Sequence, residues 1–103
     1  MPPRITTQKS RVNLLVHKDD SPFLHCKVDG FPEPKIKWFK DDENIECISG
    51  TIYTCFDSTP PNSSLRLIAI QLHDAGIYRC EATNTYGTAS MEYKVRVRGK
   101  ILF

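Results

Sequence analysis

The stretch DAGIYRCEAT, Asp74 to Thr83, decides the fold. Asp74, Ala75 and Gly76 close a polar segment, QLHDAG, with room for one helical turn and no more. From Ile77 the pattern changes to period two, and Tyr78, Cys80 and Ala82 point one way. That is a strand with one buried face. Working outward, LRLIAI (65–70) is apolar, partly β-branched, and reads as a central strand. Downstream, NTYG (84–87) is a hairpin turn, and MEYKVRV (91–97) alternates with Met91, Tyr93, Val95 and Val97 inward.

The N-terminal half repeats the pattern. RVNLLV puts Val12, Leu14 and Val16 on one face, FLHCKV puts Leu24, Cys26 and Val28, and KIKWF puts Ile36 and Trp38. DGFPEP, DDEN and STPPNSS are turns, since prolines cannot continue a ladder. Seven to nine short strands without a useful helix predict an all-β, antiparallel β-sandwich. A chain of 103 residues suits a single domain, read as about 4–98 with short linker ends 1–3 and 99–103. Net charge is +2, too weakly basic to argue for nucleic acid. No apolar run approaches a membrane span, so direct insertion of this domain is not expected. MPPRITTQKS is no signal peptide, and the chain reads as one module of a longer protein.

Cys26, Trp38 and Cys80, together with DAGIYRC, resemble the immunoglobulin superfamily, and the short segment from Trp38 to Leu65 resembles its intermediate (I) set. Leu65, Leu67 and Ile70 fall where that family has its E strand. The resemblance implies two sheets with Greek-key connections, a core signature of Trp38, Leu67, Asp74 and Tyr78, and a tyrosine corner at Tyr78. It implies a Cys26–Cys80 disulfide, although members inside cells keep such cysteines as buried thiols. Family members often pair the Asp74 position with a basic residue of the D strand. No Lys or Arg lies between Lys40 and Arg66, so Asp74 caps its turn alone or finds another partner.

Cys47 and Cys55, in ECISGTIYTC, form a second pair. A C-x7-C spacing without a nearby histidine does not suit zinc, and no metal or cofactor is implied. Free thiols remain possible, but Ser49-Gly50 offers a chain reversal, so a local Cys47–Cys55 disulfide is favoured. Asn62, in NSS, is a glycosylation acceptor triplet. Both features point to an oxidising, extracellular setting.

Catalysis is not expected. His25 and Cys26 are neighbours on a strand and face opposite ways. There is no phosphate-binding glycine loop and no nucleophile elbow. The resemblance implies a non-catalytic interaction module of an extracellular or cell-surface adhesion, receptor or matrix protein. The alternative is a structural module of an intracellular muscle or cytoskeletal giant protein. In this fold strands C, F and G share a sheet, and parity from Trp38, Cys80 and Val95 assigns its outward residues. They give a candidate binding face of Lys35, Lys37, Phe39, Ile77, Arg79, Lys94, Arg96 and Arg98, with Phe39 and Ile77 as apolar anchors. Its expected partner is a protein, such as another immunoglobulin-like domain, or an acidic or sulfated glycan. The competing reading is that basic residues on strand G only blunt a sheet edge.

Overall fold

The computed structural model describes residues 1–6, 11–45 and 62–99, together with the backbone of 53–56. Its strands are β1 (Arg4–Ile5), β2 (Arg11–His17), β3 (Phe23–Cys26), β4 (Val28–Asp29), β5 (Lys35–Lys40), β6 (Glu43–Asn44), β7 (Tyr53–Phe56), β8 (Ser63–Leu67), β9 (Gly76–Asn84) and β10 (Gly87–Arg98). A 3-10 turn at Leu72–Asp74 is the single helical element among the described residues. One layer is a five-stranded sheet ordered β2-β10-β9-β5-β6. The other contains β3-β8-β7, with β4 following β3 after one residue and pairing with β1. The two layers form a β-sandwich.

The alternation in sequence becomes alternation in burial. Leu24, Cys26 and Val28 from one layer meet Trp38, Tyr78, Cys80, Ala82, Met91 and Val95 from the other, all buried. Three ties cross the gap between layers. Cys26 is disulfide-bonded to Cys80. The Trp38 indole N–H donates to Ser63 Oγ at 3.1 Å. The Tyr93 hydroxyl donates to the His25 carbonyl at 2.5 Å. The Trp38–Ser63 bond is buried and satisfies two groups that would otherwise cost free energy inside the core, whereas the Tyr93–His25 bond lies at the exposed margin.

The 3-10 turn sets the entry to β9. The buried Asp74 carboxylate accepts from the Gln71 N–H through Oδ2 at 2.8 Å. The fully buried Tyr78 returns its hydroxyl to the Asp74 carbonyl at 2.5 Å, which is the tyrosine corner. His73 Nε2 lies 3.5 Å from Asp74 Oδ1, and no Lys or Arg pairs with Asp74 among the described residues. Asp74 therefore caps its own turn.

Two element readings are corrected, at LRLIAI and DDEN, and two features are added to the expected sandwich. The pairing is not wholly antiparallel, because β2 runs parallel to β10 with Arg11 opposite Glu92 and His17 opposite Arg98. The strand read over Leu65–Ile70 ends at Leu67, because Ala69 takes a left-handed φ of 48° and its N–H turns to Ser21 Oγ at 2.9 Å. DDEN is only half turn: Asp41 and Asp42, with φ of 48° and 69°, make the two-residue reversal, and Glu43–Asn44 pair back onto β5. Two positive φ values in a two-residue hairpin loop match the primed turns that Asp tolerates. Lastly, residues 1–3 pack against the domain. Pro3 is buried, and Met1 exchanges backbone hydrogen bonds with Phe31.

Tyr93 gives a pH test of the sandwich. Burial raises its phenol above the ordinary value of 10.0. The unfolded chain therefore ionises first as pH rises. Stability from this group is complete below pH 10 and is lost as pH climbs from there through the folded-state value. Tyr93→Phe should flatten the alkaline loss when urea midpoints at pH 9 and 11 are compared. An alkaline loss equal to that of the parent would contradict this.

Candidate functional site

The outer face of the five-stranded sheet is a register-locked grid. Lys35 lies opposite Thr83, Lys37 opposite Glu81, and Phe39 opposite Arg79 across β5 and β9. Arg79 lies opposite Glu92, and Ile77 opposite Lys94, across β9 and β10. Beyond β10 the grid continues onto β2: Arg11 beside Glu92, Asn13 beside Lys94, Leu15 beside Arg96, and His17 beside Arg98. Because β10 has neighbours on both sides, its basic residues do not guard a sheet edge.

Ion pairs divide the face in two. On the β5–β9 side, Arg79 contacts Asp42 at 2.6 Å and Glu81 at 3.8 Å. Its guanidinium lies 4.5 Å above the Phe39 ring. Phe39 and Ile77, the expected apolar anchors, are half-buried. On the β2–β10 side, Arg11 holds Glu92 through Nη2 at 2.6 Å and Nε at 3.1 Å. Both acids of the grid, Glu81 and Glu92, are thus engaged. Lys35, Lys37, Lys94, Arg96 and Arg98 make no ion pair among the described residues.

The exposed apolar residue of this face is Leu15, 59% exposed, on a strand that the sequence reading left off the sheet. A signal existed. In RVNLLV two leucines adjoin, so one of them must leave the buried face. Arg11, Asn13, Leu15, Lys94 and Arg96 line an open groove of about 550 Å³ along β2 and β10.

Other candidate residues lie elsewhere. Trp38, Leu67, Asp74 and Tyr78 are buried, away from this face. Asn62 is half-buried at the start of β8, where its Oδ1 accepts from the Val28 N–H at 2.9 Å, leaving Nδ2 out of that bond. The hydroxyl two residues on, Ser64 Oγ, is 2.7 Å from His25 Nδ1. Cys47 lies outside the described residues, as does the Cys55 side chain, so the expected bond between them does too. In the acidic turn, Asp41 accepts from the Ile77 N–H at 3.0 Å and Asp42 is held by Arg79. No cluster of three potential metal ligands occurs among the described residues. Nor does any helix there have the length and apolarity to cross a membrane.

The family model of the immunoglobulin I-set domain matches residues 3–97. The chain is 36% identical over 86 residues to chicken (Gallus gallus) vascular endothelial growth factor receptor 1, covering 84% of the chain and 6% of the receptor. It is 37% identical over 92 residues to the titin homolog of Caenorhabditis elegans, covering 89% of the chain and, to the nearest percent, 0% of that protein. The chain is thus a small fraction of the length of both relatives. Among solved structures, the complex of titin M10 with an obscurin-like 1 Ig domain superposes with a TM-score of 0.83 at 26% identity, covering 98% of each chain. Relatives therefore include cell-surface receptors and titin-like proteins alike. Fold, core signature and sequence agree, and the chain belongs to the immunoglobulin I-set family.

Proposed function

We propose that this domain, spanning about residues 4–98, is a non-catalytic interaction module of a larger extracellular or cell-surface adhesion, receptor or matrix protein. The observation that carries the reading is the Cys26–Cys80 disulfide across the two layers. Such bonds form and persist in oxidising compartments and are rare in the cytosol. The NSS triplet at Asn62 supports the same setting, with Nδ2 as the atom that would carry the glycan. A structural module of an intracellular muscle protein is the second reading. The kinship with the titin homolog and the fit to titin M10 favour it. The complex of titin M10 with an Ig domain also supports a protein partner of the immunoglobulin class.

Non-reducing peptide mapping of the natively expressed protein separates the two readings. The extracellular reading expects Cys26 linked to Cys80, Cys47 linked to Cys55, and no free thiol. Four alkylated cysteines would overturn it and favour the intracellular array.

A further inference from the structure

Lys94, Arg96 and Arg98 stand at alternate positions on the outer side of β10. Side chains two residues apart on a strand are about 7 Å apart, so these cations form a row about 14 Å long. Neighbouring acids do not neutralise it, since Glu92 is held by Arg11 and Glu81 lies near Arg79. Alongside runs β2, with the Asn13 amide beside Lys94 and the exposed Leu15 beside Arg96. The groove between these residues is open rather than enclosed, so it suits a chain laid along the surface.

We infer that this β2–β10 strip binds a sulfated polysaccharide. The inference rests on the extracellular reading, because that is where such polymers lie. Charge complementarity argues for a polyanion. The choice of polymer over protein follows from what the strip lacks. A protein interface has a desolvated apolar core with aromatic anchors. Here Leu15 is the sole large exposed apolar residue, and the nearest aromatic on the face, Phe39, is covered by Arg79. A repeating anion needs a row of cations, a polar group for its hydroxyls and a small apolar floor for a sugar ring. The strip supplies those in Lys94, Arg96 and Arg98, in Asn13, and in Leu15.

The test uses the purified domain with a defined heparin octasaccharide, and a poly-glutamate peptide of equal charge as the competing class. Lys94→Ser with Arg96→Ser should weaken heparin binding at least tenfold. Its salt dependence should flatten by about 1.5 in log–log slope, by analogy with cation release from charge-dense nucleic acids. Lys35→Ser with Lys37→Ser removes the same charge from the far side of the sheet and should cost less than threefold. All four positions are outward, so unchanged thermal midpoints should accompany both variants. Poly-glutamate should bind at least tenfold more weakly than heparin. Equal losses from the two double variants would replace the groove with a diffuse field and overturn the proposal. Equal binding of poly-glutamate would overturn it in favour of an acidic protein, and absence of heparin binding at low salt would overturn it outright. None of these outcomes bears on the cysteine pairing, so the extracellular reading stands or falls separately.

Discussion

Trp38→Ala should destabilise the domain by about 3–5 kcal/mol in urea unfolding, the range for removing a large aromatic from a core. Trp38 is 3% exposed and lies directly opposite Cys80 on β9. Its ring therefore packs where the disulfide joins the two layers. The substitution leaves a cavity there, and it strips the buried Ser63 hydroxyl of the indole N–H at 3.1 Å. An orphaned buried acceptor adds its own desolvation penalty of about 1–3 kcal/mol. Small domains have only about 5–15 kcal/mol in total, so much of the stability would go. Trp38→Phe separates the two contributions: it keeps part of the ring volume but leaves Ser63 unpartnered. A loss below about 1 kcal/mol for Trp38→Ala would mean that the sandwich core does not centre on this residue.

The inward half of this molecule was legible in the sequence because burial follows from parity alone. Once Cys80 is placed inward, Tyr78 and Ala82 follow without knowledge of any neighbour. The same arithmetic gave the outward residues of β5, β9 and β10. It could not give their neighbours. Arg79 looked like a free cation because Asp42 precedes it by 37 residues, and only the pairing of β5 with β9 brings them together. The parallel docking of β2 on β10 joins positions 81 residues apart at Arg11 and Glu92, with no hairpin turn to announce it. So Leu15 and Asn13 went unassigned, and the Arg79 guanidinium over the Phe39 ring was not foreseen. Ala69 shows the converse limit. A left-handed alanine has no sequence signature, and the Ser21 hydroxyl that accepts its N–H is 48 residues away. Ile70 left the ladder there yet stayed fully buried.

Reducing the Cys26–Cys80 bond should cost about 4 kcal/mol, the chain-entropy value for a closed loop of about 55 residues. The comparison needs one protein in two redox states, so that no side chain is changed in the core. A Cys47→Ser/Cys55→Ser background confines the reduction to this bond. Both sulfurs belong to fully buried residues, so strong reductant and partial unfolding are needed to reach them. The reduced form should also show a steeper urea dependence, because an unbridged unfolded chain exposes more surface. A cost below about 1 kcal/mol would mean that the bridge does little to restrict the unfolded chain. The domain would then rest on its apolar core, as the thiol-bearing members of the family do. The two large effects should not add. Trp38 faces Cys80 across the β5–β9 ladder, and contacting residues couple by about 0.5–3 kcal/mol. Reduction in the Trp38→Ala background should therefore depart from the parent's cost by an amount in that range. A strictly additive result would place the tryptophan and the bridge in separate parts of the core, against the register that sets them face to face.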